Sequence, residues 1–96
     1  MIKSFGNETA RDIFNGDSTK EARKLPRNLW SIAVRKLDQL NAAFQLSDLK
    51  IPPGNRLEIL KGDLAGLHSI RINNQYRIVF KWTEDGPERV KIIDYH

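Results

Sequence analysis

His68-Ser69-Ile70-Arg71-Ile72-Asn73-Asn74-Gln75-Tyr76-Arg77-Ile78-Val79-Phe80-Lys81-Trp82 reads as two alternating strands joined by a polar turn, and its register decides the fold. A two-residue turn would pair Asn73 with Tyr76 and set Arg71 on the same face as Ile78 and Phe80. A three-residue turn, Asn73-Asn74-Gln75, pairs Ile72 with Tyr76 and Arg71 with Arg77. In that register His68, Ile70, Ile72, Tyr76, Ile78, Phe80 and Trp82 share one face. Ser69, Arg71, Arg77 and Lys81 share the other. A one-residue slip turns every side chain over, so the burial pattern selects the three-residue turn and a clustered basic face.

Downstream, Glu84-Asp85-Gly86-Pro87 turns the chain into a last strand over 90–95. Upstream, Pro52-Pro53-Gly54-Asn55 breaks the chain. The hydrophobic period changes there from 3.6 to 2. After the break, Leu57 and Ile59 alternate with Arg56 and Glu58 as a strand to Leu60, and residues 61–66 form a loop whose glycines permit positive φ. Before it, Leu29, Ile32, Ala33, Leu37, Leu40 and Phe44 recur at three- and four-residue steps. They predict an amphipathic helix that starts near Pro26 and fades near Ala43, with a short helical turn following over 46–50. Nearer the N-terminus, Thr9 to Phe14 predicts a brief helix stopped by Gly16. Residues 17–25 read as a polar loop with basic residues free to touch RNA or a partner. Ile2 to Phe5 alternates as a short first strand. The order is β-α-(α)-β-β-β-β, an α+β fold with an antiparallel sheet packed on helices.

Ninety-six residues support one domain, 1–96. The chain has no cysteine, which excludes disulfides and thiolate metal sites. No stretch approaches the ~20 apolar residues of a membrane span, and the N-terminus has no signal-peptide core. The expectation is a soluble, cytoplasmic protein with no membrane contact. Net charge is +4 with a sequence pI near 9.6. Arg56, Lys61, Arg71, Arg77 and Lys81 stand against Glu58 and Asp63 between positions 56 and 82, so this stretch carries +3 of that charge. A local positive field of this kind attracts phosphate backbones.

The chain closes on Asp94-Tyr95-His96, an acid, a phenol and an imidazole directly behind a β-branched strand. Cutting RNA without a metal needs a base for the 2′-hydroxyl proton, cations for the phosphorane-like transition state and an acid for the leaving 5′-oxygen. Arg71 and Arg77 side by side match a phosphate, with Lys61 and Lys81 adding charge at the edge. His96, Asp94 and Glu58 are candidate proton carriers, and Tyr95 a candidate to orient a group or stack on a base. Glu58 reads equally as an ion-pair partner of a nearby arginine. His68 reads as partly buried, and Trp30 and Trp82 as packing residues. No HExxH, phosphate-cradling glycine loop or GxSxG elbow occurs, so no cofactor or metal is expected.

Asn55-Arg56-Leu57-Glu58-Ile59-Leu60-Lys61-Gly62-Asp63, Gly66-Leu67-His68-Ser69-Ile70-Arg71-Ile72, Gln75-Tyr76-Arg77-Ile78-Val79-Phe80 and the closing Asp94-Tyr95-His96 resemble the HigB toxins of type II toxin–antitoxin systems, in the RelE/ParE superfamily. Met1-Ile2-Lys3-Ser4-Phe5 is also similar, so the resemblance spans nearly the whole chain. It implies a RelE-like fold and an mRNA interferase, a ribosome-dependent endoribonuclease acting on messenger RNA in the 30S A site. It implies a HigA-type helix-turn-helix antitoxin as partner, with operator DNA met only through the antitoxin complex. By position, Arg77 matches a phosphate-contacting arginine, Lys61 a functional lysine, and Asp94, Tyr95 and His96 the active terminal triplet. Glu58 stands where some members carry histidine, and Asn73 where they carry arginine. A carboxylate at position 58 shifts that role from acid to base, and Arg71 on the same strand can compensate for the charge missing at 73. Two rival functions remain on sequence grounds: a ParE-like gyrase poison, which leaves the terminal triplet without a purpose, and a non-catalytic RNA- or ribosome-binding module.

Overall fold

The computed structural model describes residues 1–95. Its frame is an antiparallel meander of β1 (Glu58–Ile59), β2 (His68–Arg71), β3 (Tyr76–Thr83) and β4 (Gly86–Asp94), side by side in chain order. β2 and β3 pair with Ile70 opposite Ile78 and Arg71 opposite Arg77, the register of the three-residue turn. Asn73 holds that turn locally. Its Oδ1 accepts from the amides of Gln75 and Tyr76 at 2.9 and 2.8 Å, replacing backbone partners that a turn lacks.

Two helices cover one face of the sheet. α1 (Glu8–Asn15) is capped by Asn7, whose Oδ1 accepts from the Ala10 amide at 3.1 Å. The same side chain donates from Nδ2 to the Ile92 carbonyl at 2.9 Å, tying the helix start to β4. Gly16 ends α1 at φ 80°, the left-handed conformation that favours glycine. α2 (Trp30–Ala42) sends Ala33, Leu37 and Leu40 into the core. There they meet Ala10 and Ile13 of α1 and Ile70, Ile78, Phe80, Val90 and Ile92 of the sheet.

Six local expectations give way. Residues 2–5 form only one parallel bridge, Phe5 to Val90, next to Arg89, which stands at φ 56°. The segment 17–25 is not a free polar loop. It contains a 3₁₀ turn at Ala22–Lys24, and Ala22 and Leu25 are fully buried. Two apolar residues without a period were enough to anchor it, helped by Thr19, which donates to Asp12 at 2.6 Å. The α-helix proper starts at Trp30, after a 3₁₀ turn over Arg27–Leu29. Phe44 leaves the apolar stripe and stands 97 % exposed, since Ala43 adopts extended backbone and ends the helical period. In β1 the alternation fails as well: Ile59 is 62 % exposed at the sheet edge, while Leu60 is buried. β4 begins at Gly86 rather than 90, because Thr83 already pairs with Gly86.

The chain break before β1 is fastened by a buried polar side chain. Asn55 donates to the Leu49 carbonyl at 3.1 Å and to Gln39 Oε1 at 3.0 Å, and its Oδ1 accepts from Lys36 Nζ. Burial, and then the neighbouring Arg35, hold the Lys36 pKa below the ordinary lysine value. We expect Asn55→Ala to lower unfolding free energy by about 1–3 kcal/mol, since it strands a buried carbonyl and the Lys36 ammonium. Urea unfolding checks this, and an unchanged midpoint would contradict it.

Candidate active site

On the sheet face away from the helices, β2 and β3 hold Arg71 directly opposite Arg77. Arg77 is the buried member, with its side chain 9 % exposed. Its Nη1 donates to Glu58 Oε1 at 2.9 Å and to Ser69 Oγ at 3.3 Å. Its guanidinium carbon lies 4.7 Å from the centre of the Tyr95 ring. The register explains why these groups meet. Glu58 pairs with Ser69 across β1 and β2, Ser69 precedes Arg71 by two residues on the same face, and Tyr95 follows β4, whose Ile93 pairs with Arg77. An isolated buried cation costs several kcal/mol. Here a carboxylate, a hydroxyl and an aromatic face offset that cost.

Arg71 is half-buried, and its Nη1 donates to Asn74 Oδ1 at 3.2 Å. The Nε atoms of both arginines are buried without a hydrogen-bond partner. Lys81 shares this face by alternation, with Nζ 4.0 Å from Glu88 Oε1. Arg56 and Lys61 are exposed and flank β1. Glu58 keeps about half of its side chain exposed beside Arg77. Its ion pair and its position at the arginines are therefore both real, so the two roles open for it in the sequence are not exclusive.

Asp94 stands apart. It pairs with Tyr76, so alternation turns it to the helix side together with Ile92. There it lines a cavity of about 280 Å³ with Thr9, Glu21 and Leu25, and its Oδ2 accepts from Gln75 Nε2 at 3.0 Å. Tyr95 and Asp94, adjacent in sequence, thus serve opposite sides of the strand end. His96 lies outside the described residues. Sequence reading placed Ser69 on the arginine face without a role, and the structure sets it against Arg77; it missed Asn74 on Arg71 and Gln75 on Asp94. A polar residue two positions from an arginine on one strand was the available signal for Ser69. The turn amides carried none, because their reach depends on the turn's shape.

His68 lies on the helix side, its ring stacked on Phe80 at 6.1 Å between centres. Nδ1 is buried without a partner, and desolvation lowers its pKa below the ordinary imidazole value. Among the described residues no cluster of three or more His, Asp or Glu is placed to hold a metal ion, and no helix is long and apolar enough to cross a membrane.

The HigB-like toxin family, RelE-like toxins of the type II toxin-antitoxin system HigB, matches over residues 3–96. Toxin HigB-1 of Vibrio cholerae serotype O1 is 45 % identical over 96 residues, covering all of this chain and 98 % of that one. Among solved structures, the YoeB-YefM complex from Staphylococcus aureus matches with a TM-score of 0.58 at 18 % identity, over all of this chain and 98 % of the matched chain. At that identity the likeness concerns the fold, and it bears out the α+β architecture expected from the sequence.

Tyr95→Ala is expected to destabilise the fold by about 1 kcal/mol through loss of the ring beneath Arg77, while Tyr95→Phe retains the ring and the stability. Chemical denaturation separates them, and equal losses would show that the ring face is not what matters. His68 sets a pH dependence. The unfolded chain takes up its proton before the folded one, so stability is retained above the ordinary value of 6.5 and declines as pH falls below it. Stability curves for His68→Gln should lose that part of the slope.

Proposed function

Because the chain belongs to the HigB-like family of toxins from type II toxin–antitoxin systems, we propose that it is a ribosome-dependent endoribonuclease, an mRNA interferase that cuts translated messages in the ribosomal A site and so arrests translation and growth. The observation that carries this reading is the pairing of Arg71 with Arg77. Like charges directly opposite one another on a sheet are destabilising. Glu58 neutralises one of them, and a phosphate placed between the guanidinium forks neutralises the other.

In the reaction the 2′-oxygen attacks the adjacent phosphorus, an O2′–P bond forms and the P–O5′ bond breaks. Arg77 and Arg71 hold the phosphate and offset charge gathering on its oxygens. Glu58, anchored by Arg77 yet half exposed, takes the 2′-hydroxyl proton. His96 donates a proton to the departing 5′-oxygen. Asp94, on the other side of the strand end, supports the terminus rather than the phosphate, and Tyr95 keeps the Arg77 guanidinium in its plane. Lys61, Arg56 and Lys81 supply outlying charge that draws the message and the ribosome. The cognate antitoxin is a HigA-type helix-turn-helix protein. A complexed neighbour of the same fold, the YoeB-YefM assembly, supports a protein partner.

Brief induction in a bacterial host, followed by mapping of message ends, tests the proposal. Cuts should cluster within codons and vanish when translation of the message is blocked. His96→Ala, or deletion of residues 94–96, should lower cleavage by at least ~100-fold, the scale of one acid–base group, with circular dichroism unchanged. A truncated protein that still cuts messages would overturn the catalytic assignment. Intact messages with a DNA-damage response would assign the chain to gyrase poisoning instead.

A further inference from the structure

A second recess adjoins the arginine face. It is a groove of about 410 Å³ between β1 and the 3₁₀ turn at Leu46–Lys50. Leu46, Leu57 and Ile59 form aliphatic walls, while Lys50, Glu58 and His68 bring polar groups to it. Glu58 belongs to both places, lining the groove while its Oε1 holds Arg77. β1 is the edge of the meander, so no strand lies over the groove, and Ile59 remains 62 % exposed there.

We propose that this groove receives a nucleobase of the bound message, next to the phosphate held by Arg71 and Arg77. The assignment rests on the nuclease reading above and extends it to a base-binding subsite. Apolar walls with a few hydrogen-bonding groups suit a base, whose faces are apolar and whose edge is polar. Its volume falls in the range of small-ligand pockets, roughly 300–1,000 Å³. Charge favours RNA over a peptide. Arg56 and Lys61 flank β1, Lys50 stands in the lining, and the negative charge of Glu58 is already paired with Arg77. Geometry argues the same way, since β1 offers only two residues of edge, too short a ladder for an added peptide strand. His68 lines the groove as a neutral or cationic hydrogen-bonding ring beside the aliphatic walls. With Nδ1 enclosed, its hydrogen bond falls to Nε2.

The test uses programmed ribosomes carrying a message with a single abasic nucleotide, moved position by position around the cut site. One flanking position should slow cleavage by the wild-type protein between roughly 5- and 150-fold, the worth of one stacked base. Ile59→Glu and Ser47→Trp, both at exposed positions, should slow cutting of the intact message to a similar degree and show no further loss on the abasic one. Rates that ignore the abasic nucleotide everywhere, or losses that multiply in the variants, would overturn the groove as a base site. Variants that cut normally but escape the antitoxin would mark it as a protein-docking surface and equally overturn it. If the wild type cuts no message at all, the nuclease reading itself falls, and this subsite with it.

Discussion

Two guanidinium groups placed opposite one another on neighbouring strands repel, and the β2–β3 register imposes that arrangement on Arg71 and Arg77. Much of the remaining structure around them absorbs the repulsion. β1, only two residues long, brings Glu58 to Arg77, and β2 sets the Ser69 hydroxyl beneath it. The end of β4 lays the Tyr95 ring across the guanidinium. The register cannot slip to relieve the charges, because a shift of one residue would expel Ile70, Ile78 and Phe80 from the core. Hydrophobic burial therefore holds an electrostatically costly pair in place. The pair is thus fixed in place by the fold, with Glu58, Ser69 and Tyr95 already set around Arg77.

The same strands divide labour between their faces. The helix side carries most of the apolar core, and burial there lowers the pKa of His68 below the ordinary imidazole value. The opposite side is cationic, yet its middle is not solvent-washed: Ser69 and Val79 are fully buried and Arg77 nearly so. The basic face is one buried charge, Arg77, with a half-buried neighbour, Arg71, and an exposed Lys81 at its edge. Water competes poorly for the two arginines, so a phosphate reaching them meets a stronger field than exposed lysines could offer. Asp94 and Tyr95 show how sharply the sides are separated, since one residue of advance along β4 moves a side chain from the α1 cavity to the arginine face.

Local pattern was legible wherever a period ran long enough. The α2 stripe, the Gly16 stop and the hairpin register could be read because burial imposes 3.6- or two-residue spacing on apolar side chains. Reading failed where one or two residues settle the outcome. Ala22 and Leu25 anchor 17–25 without any period. Phe44 continues a helical spacing that the backbone abandons at Ala43. Ile59 alternates as a core residue would, but its strand sits at an edge with nothing beyond it. Residues 2–5 alternate as a strand would, yet they meet β4 only through the Phe5–Val90 bridge, beside a left-handed Arg89.

What the sequence by itself determined was the alternation that puts Arg71 and Arg77 together, the reversal of period at Pro52-Pro53, and a similarity to a toxin family carried by motifs along most of the chain. Those are properties of neighbouring residues, and short-range sterics and burial act on neighbouring residues. Only the tertiary structure decided that Arg77 is buried, that Glu58 and Tyr95 converge on it from strands far apart in sequence, and that Asp94 turns away from both. These depend on which strand ends lie side by side and which face each residue presents at a strand's last turn, and no periodicity within one segment encodes the position of another.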